Sequence, residues 1–458
     1  MRCSWLFLVI LMTRLSLAAE PRVGQLVFLK PGAKAFADGR ALDLTGIPFP
    51  VAISKIEGTK LWLAKGWVDQ AEVNLTAQAA LDYYSAELQR DPRQVHAWVE
   101  RGLVSKSQAD WKPALQDFSE ALKLDPNSYH AHFNRGLAYK NLGQFDEAIR
   151  DFTETIRIDP QDTASYNNRA LLRKEKQEFA KAFADFEKSL ELNPQQPLVF
   201  YNRAIILKAQ GKTPEAIADL TEAIRLDPAS SQALNNRGNI YRSLGERQKA
   251  LADYNEALRH DPQHATAYGS RGNYWYDQGE YDKALADYEE CLRLNPQETR
   301  IYLNLGNALY MKEEFEKALE HYNKAVLLEP QNAVAYKARG KTRLVQGQRQ
   351  KAHADFTEAI HLDPQQSYKI VWLLATSPAQ DERDGEFAKQ QGIKACQRSA
   401  WKNGLDLEAL AAAYAELEEF AEAKKYQQQA LEYLTEQQLP AARVRLKLYE
   451  MEKPYRTP

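Results

Sequence analysis

Cysteine is scarce. The chain has three in 458 residues, Cys3, Cys291 and Cys396, which excludes a disulfide framework and a four-cysteine zinc site. Glycine and proline are few as well, at 21 and 20, so the chain is neither collagen-like nor of low complexity. Neither sign of charge dominates, because 60 basic residues nearly cancel 62 acidic ones and leave a formal net charge of −2. A globally basic nucleic-acid binder is thereby excluded, although a local basic stripe is not. The mean hydropathy of −0.58 excludes a multi-span membrane protein. No His-Glu-x-x-His, Gly-x-Ser-x-Gly or glycine-rich phosphate loop occurs, so no catalytic, cofactor-binding or metal-binding residue is assigned and no cofactor is expected. His130 and His132 diverge on a helix, and His260 and His264 flank Pro262 at a helix end; neither pair is a good metal site.

What is present begins with an address. Residues 1–19 have a basic start, the apolar run Trp5 to Met12 and the small-residue end Ala18-Ala19. This is the pattern of a secretory signal peptide, cut after Ala18 or Ala19, although Arg14 stands late in it. The apolar run is too short to cross ~30 Å of hydrocarbon as a helix, so no transmembrane anchor is expected. If the signal is cleaved, the chain is expected to work outside the cytoplasm, periplasmic or extracellular; the other reading is an uncleaved apolar N-terminus on a cytosolic protein.

Residues 23–75 carry six of the glycines, with short β-rich runs between them: Gln25 to Lys30, Pro50 to Ile56, Lys60 to Ala64 and Gly66 to Val73. Such punctuation predicts a small barrel or sandwich. The stretch Leu61-Trp62-Leu63-Ala64-Lys65-Gly66-Trp67-Val68 resembles the closing strands of bacterial SH3-like domains. Trp62 and Trp67 then either form an exposed ligand groove or pack as half-buried core.

A clock runs through the rest. Prolines stand at 92, 126, 160, 194, 228, 262, 296, 330 and 364, each step being 34 residues. They bound eight repeats covering residues 93–364. Within each repeat the apolar spacing fits two amphipathic helices joined by a short turn. Gly143, Gly211, Gly245, Gly279 and Gly347 fall at one register in that turn, and each proline ends a second helix. Counting each repeat from Val95 and its equivalents, position 20 is Ala in all eight: Ala114, Ala148, Ala182, Ala216, Ala250, Ala284, Ala318 and Ala352. Position 8 is Gly or Ala, position 24 holds aromatics such as Phe118, Phe152 and Tyr254, and position 4 is mostly aromatic. These residues resemble the tetratricopeptide repeat in period, phase and residue type. The fold expected is mainly α: a helical-hairpin superhelix preceded by the SH3-like β-barrel. Residues 76–92 are read as a capping helix, 365–450 as repeat-like C-terminal helices and 451–458 as a loose polar tail.

One pair of positions departs from the family together. Position 7, usually Leu in the family, is Arg in seven repeats: Arg101, Arg135, Arg169, Arg203, Arg237, Arg271 and Arg339. Sixteen residues later stand Asp117, Asp151, Asp185, Asp219, Asp253, Asp287 and Asp355. The exception, Leu305, has His321 at the partner position, so both changes occur together. A structural Arg–Asp pair is expected, within a repeat or between neighbours.

The resemblance also implies that the first helix of each repeat lines a concave groove. Position 6 there gives Asn134, Asn168, Asn202, Asn236 and Asn304, with Ser270 interrupting, and position 9 adds Asn239, Asn273 and Asn307. The row resembles the asparagine ladder of peptide-binding repeat proteins, whose amides both donate to and accept from a peptide backbone. Position 12 is basic in five successive repeats: Lys106, Lys140, Lys174, Lys208 and Arg242. A basic row beside such a ladder suits an extended acidic peptide; the other reading is an ordinary solvated helix face. The family's carboxylate-gripping version has no counterpart, since Val99, Leu103 and Gly269 occupy its opening positions. The expectation is a non-enzymatic scaffold with a protein or peptide partner and no nucleic acid. The alternative is a cell-envelope attachment module, in which the SH3-like domain holds cell-wall peptide or glycan and the repeats act as a spacer.

Overall fold

The computed structural model describes residues 76–457 and, before them, the backbone of eight short strands within residues 26–74. The segment read as a signal, residues 1–19, lies outside the described residues. The chain divides into two compact units, Met1–Leu226 and Asp227–Pro458, called here the N-unit and the C-unit.

The N-unit begins with β1 (Leu26–Leu29), β2 (Ala35–Ala37), β3 (Arg40–Leu42), β4 (Val51–Ala52), β5 (Lys55–Glu57), β6 (Lys60–Leu63), β7 (Gly66–Asp69) and β8 (Val73–Asn74). They pair in two antiparallel sheets, β4-β1-β8 and β3-β2-β7-β6-β5. Trp62 and Trp67 are partners across β6 and β7. Strands thus occur where the glycine-punctuated pattern put them, with β2 and β3 in addition. These two sheets alone do not support the SH3-like closure expected above.

Helices follow. The N-unit has α1 (Ala77–Arg90), then α2 (Val95–Ser107) with α3 (Trp111–Leu124), α4 (Tyr129–Asn141) with α5 (Phe145–Ile158), α6 (Thr163–Glu175) with α7 (Phe179–Leu192), and α8 (Pro197–Ala209) with α9 (Thr213–Leu226). The C-unit continues with α10 (Ser231–Ser243) and α11 (Arg247–His260), α12 (Ala265–Asp277) and α13 (Tyr281–Leu294), α14 (Thr299–Met311) and α15 (Phe315–Leu328), and α16 (Ala333–Val345) and α17 (Arg349–Leu362). Every first helix starts 34 residues after the last, and so does every second helix.

The repeat is kept in step by its ends. Each proline stands two residues beyond its second helix, and the residue between, such as Asp125, is extended (φ −131°, ψ 95°), as a residue before proline must be. Each first helix closes through a left-handed residue. In repeat 2 the Gln144 N–H donates to the Tyr139 carbonyl at 2.9 Å and the Gly143 N–H to Lys140 at 3.2 Å, the two bonds of a Schellman turn. Gly143 has φ +74°, and a Cβ there would meet nothing within 4 Å. Backbone conformation, not space, therefore favours glycine there.

Packing explains the small residues. Ala114, Ala148 and Ala182 are fully buried against Phe118, Phe152 and Phe186 in the N-unit. A Cβ on Gly306 would come within 2.4 Å of Tyr322 Cε1, so the aromatic fills the space a larger residue would need. Each such ring contributes roughly 1.5–3 kcal/mol by leaving water.

The C-terminal helices α18 (Gln366–Thr376), α19 (Gly385–Arg398), α20 (Gly404–Glu416), α21 (Phe420–Ala430) and α22 (Leu439–Glu450) complete the C-unit. The expected pair residues Leu407, Leu410, Tyr414, Ala423 and Ala430 are all buried there. In α20 even Glu408 is buried, held by Arg445 at 2.6 Å and by Gln427 at 3.0 Å. The tail is not loose. The Thr457 N–H donates to the Thr376 carbonyl at 2.8 Å, Arg456 pairs with Glu416 at 2.6 Å, and the Tyr455 ring lies 5.7 Å from that of Trp372. Polar composition suggested solvent, but each of these groups finds a partner at the end of α18 or α20.

Candidate functional site

The first helices are built by one recipe, so side chains at equal positions recur at equal places. Position 7 joins helix to helix. The Arg101 guanidinium grips Asp117 through Nε at 3.0 Å and Nη2 at 2.7 Å. The same two bonds join Arg135 to Asp151, Arg169 to Asp185 and Arg203 to Asp219 in the N-unit. In the C-unit they join Arg237 to Asp253, Arg271 to Asp287 and Arg339 to Asp355. The pairs thus lie within a repeat. A further guanidinium nitrogen reaches back to the preceding second helix, as from Arg169 to Thr153 at 3.1 Å and from Arg271 to Asn255 at 2.8 Å. The carboxylates are buried and the guanidiniums half-buried. The hydrogen bonds to Asp219, Asp253 and Asp287 push the guanidiniums of Arg203, Arg237 and Arg271 further up. In repeat 2, His132 Nδ1 also lies 2.8 Å from Asp151. These residues brace the two helices of a repeat against each other.

Positions 6 and 12 meet each other. Lys106 Nζ donates to Asn134 Oδ1 at 2.7 Å, Lys140 to Asn168 at 3.2 Å and Lys174 to Asn202 at 3.3 Å. Each bond links a lysine to the asparagine 28 residues on, in the next repeat. The amide nitrogens turn back on their own helices: Asn134 donates to His130 O, Asn168 to Ala164 O, Asn202 to Leu198 O and Asn236 to Gln232 O. Ladder and basic row are therefore one structure, a run of lysine–amide clasps in the N-unit. Burial pulls the ammoniums of Lys106 and Lys140 down, and the partner each has is a neutral amide oxygen. Between the clasps, position 9 offers the half-buried aliphatics Leu103, Leu137, Leu171 and Ile205. Lys208 is exposed.

The C-unit face differs. Arg242 is paired with Asp277 at 2.6 Å, so its charge is compensated. Asn304 donates to Asn273 Oδ1 at 2.8 Å. Position 9 asparagines cap tyrosines: the hydroxyls of Tyr254, Tyr288 and Tyr322 donate to Asn239, Asn273 and Asn307 at 2.9, 2.8 and 2.8 Å. These three asparagines serve the core and were not separated from the ladder by sequence reasoning. A signal was available. Asn stands at position 9 in the three repeats whose position 24 is Tyr, and Leu, Ile or Lys where it is Phe or Leu.

Reactive chemistry is not assembled among the described residues. Cys291 and Cys396 are buried and free, and burial pushes their thiols up to about 11 and about 12. No group of three His, Cys, Asp or Glu side chains could hold a metal, and no helix is long and apolar enough to cross a membrane, among the described residues.

Comparison with known proteins identifies the repeat. Residues 129–162, 163–196, 186–218, 231–264 and 270–333 match tetratricopeptide-repeat family models, and residues 102–143 and 206–245 match a TPR repeat model. No curated protein sequence matches the chain. Among solved structures, a tetratricopeptide repeat protein from Parabacteroides merdae is 20% identical over 52% of this chain and 93% of its own, with a TM-score of 0.44. YrrB, described as a TPR protein with an unusual peptide-binding site, is 24% identical over 41% of this chain and 97% of its own, with a TM-score of 0.35. Yeast Tom70 is 17% identical over 82% of this chain and 92% of its own, with a TM-score of 0.43.

Proposed function

We propose that this tetratricopeptide-repeat protein is a non-enzymatic scaffold that holds an extended acidic segment of a partner on the first-helix face of its N-unit. Repeat arrays of this kind offer extended faces to peptides and protein partners. The observation that carries the acidic choice is the run of clasps. Lys106 and Lys140 are half-buried cations satisfied by neutral Asn134 and Asn168. A partner carboxylate is the better acceptor, because a charge-assisted hydrogen bond is roughly twice as strong as a neutral one. Turning the lysines to a carboxylate frees each asparagine oxygen for a peptide N–H. Leu103, Leu137 and Leu171 then cover apolar side chains between the acidic ones. We further propose export from the cytoplasm, a reading supported by the apolar run Trp5 to Met12 and the small residues Ala18 and Ala19.

The test is fluorescence polarisation with a labelled hexaglutamate peptide and a hexaglutamine control. Replacing Lys106, Lys140 and Lys174 together by alanine is expected to weaken hexaglutamate binding by about tenfold or more, given ~1 kcal/mol or less from each partly exposed pair. The loss should shrink as salt rises. Equal binding by the wild type and the triple variant would remove the clasps as the site.

A further inference from the structure

On the C-unit one carboxylate is surrounded by donors from other elements. Tyr310 is position 12 of repeat 7 and Lys341 is position 9 of repeat 8, both on first helices. They converge on Glu382, which comes from the 3-10 turn Gln380–Glu382 between α18 and α19. The Tyr310 hydroxyl donates to Glu382 Oε1, and Lys341 Nζ lies 2.9 Å from the same oxygen. Ser377 Oγ donates to Oε2 at 2.5 Å. The Lys341 ammonium also sits 4.5 Å above the Tyr310 ring, which fixes its position. An ammonium and two hydroxyls around one carboxylate make a complete anion site.

Other contacts also hold the turn. Arg383 Nε donates to Glu416 at 2.8 Å, and its Nη1 donates to the carbonyls of Ser377 and Pro378 at 3.0 and 3.2 Å. Asp384 caps α19 by accepting the Phe387 N–H at 3.1 Å and pairs with Arg349 at 2.7 Å. Pro378 to Asp381 are exposed. The base of the loop is thus clamped on both sides, while Glu382 reaches away to residues 41 and 72 positions earlier in the chain. A side chain seated mainly in donors from two other helices has the geometry of a ligand carried in cis.

We propose that Tyr310 and Lys341 form a carboxylate-binding site for an acidic peptide, which Glu382 fills in the resting chain and a partner's glutamate or aspartate takes by displacing it. Displacement rotates the Glu382 side chain out of the site and breaks its bond to Ser377, while Arg383 and Asp384 hold the base of the loop. The cost to the partner is competition. A site that is open a tenth of the time binds an outside ligand about tenfold more weakly than an empty one.

The experiment uses the full chain in which Lys106, Lys140 and Lys174 are already alanine, so that the N-unit clasps are silent. Labelled hexaglutamate is the probe. Glu382→Ala is expected to bind it about tenfold or more tightly than its parent. Adding Lys341→Ala should abolish the gain, and hexaglutamine should bind neither variant. Unchanged or weaker binding by Glu382→Ala overturns the proposal, and so does a gain that survives Lys341→Ala. Hydrogen exchange of residues 377–384 reports whether Glu382→Ala keeps the loop. If it does not, Glu382→Gln, which keeps the shape and loses the charge, must show a gain in the same direction or the proposal falls. Failure of the clasp reading is seen elsewhere, in equal binding by the wild type and the triple variant.

Discussion

At the scale of single residues, the repeats show how a polar group enters a core only with its partner. Tyr322 is almost wholly buried, and its hydroxyl donates to Asn307 at 2.8 Å. Phe152, fully buried in repeat 2, needs no such acceptor, and Leu137 stands at the matching place. Asn307→Leu alone removes the acceptor of a buried hydroxyl and should cost ~1–3 kcal/mol. Asn307→Leu with Tyr322→Phe restores the repeat 2 pair and should recover most of that loss. Hydrogen exchange of α14 and α15 in the two single variants and the double variant measures the coupling; additive losses would show that the two side chains are independent. Glu100 is a different case. It stands at position 6 of repeat 1, where five of the later repeats have asparagine, and burial pushes its carboxyl up to about 7. His96 Nδ1 is 3.7 Å away, and Tyr84 also faces it. A carboxyl raised on folding stabilises the fold when protonated. That stability is full below the unfolded value near 4.5 and is lost as pH rises through about 7. Glu100→Gln should therefore be neutral near pH 4 and stabilising at pH 8, by about 3 kcal/mol at most. Thermal melts of both proteins across that range decide it, and a pH-independent difference would refute the burial argument.

At the scale of elements, most of what was legible came from backbone rules that a short stretch of sequence can state. Proline every 34 residues and extended backbone before it mark all eight helix pairs, and glycine marks the left-handed turn in five of them. The Arg–Asp geometry was legible because two positions changed together. The clasps, the Asn–Tyr caps and the Glu382 contact were not, because each depends on which side chains meet after helices 15 to 72 residues apart have packed. The tail misled for the same reason: composition measures an average taste for water, and Thr457 and Arg456 found specific partners instead. The turn offers a clean test. Three repeats have no glycine at the left-handed position, and Ala109, Gln177 and Glu313 take φ values of +59°, +60° and +60° there. Such residues bear about 1 kcal/mol of strain that glycine does not. Gln177→Gly should accordingly protect the end of α6 and the start of α7 by up to about that amount, after allowing for the added freedom of the unfolded chain. Slower hydrogen exchange there is the expected result, and faster exchange would mean that unfolded-state entropy wins.

At the scale of the whole molecule, the face changes character while the recipe of the repeats does not. Repeats 1–4 carry aliphatics at position 9 and lysines at position 12; repeats 5–7 carry asparagines at position 9 and Arg242, Tyr276 and Tyr310 at position 12. One scaffold therefore offers two different chemistries, which matters only if each stretch keeps its structure on its own account. A solenoid satisfies that condition, because each repeat gains stability mainly from its nearest neighbours. Phe152→Ala tests it. The ring is fully buried beside Ala148 and Leu172, and its removal should cost ~3–5 kcal/mol locally. Nearest-neighbour coupling predicts that amide protection falls in α4 to α6, falls less in α2 and α8, and is unchanged in α14 to α17. Protection lost equally in α5 and α15 would instead mean that the repeats unfold as one, and that a ligand on either face stabilises both. The local outcome has a functional consequence. A partner bound to the lysine clasps would then rigidify only the repeats it touches and leave the Tyr310–Lys341 site to be opened by its own ligand.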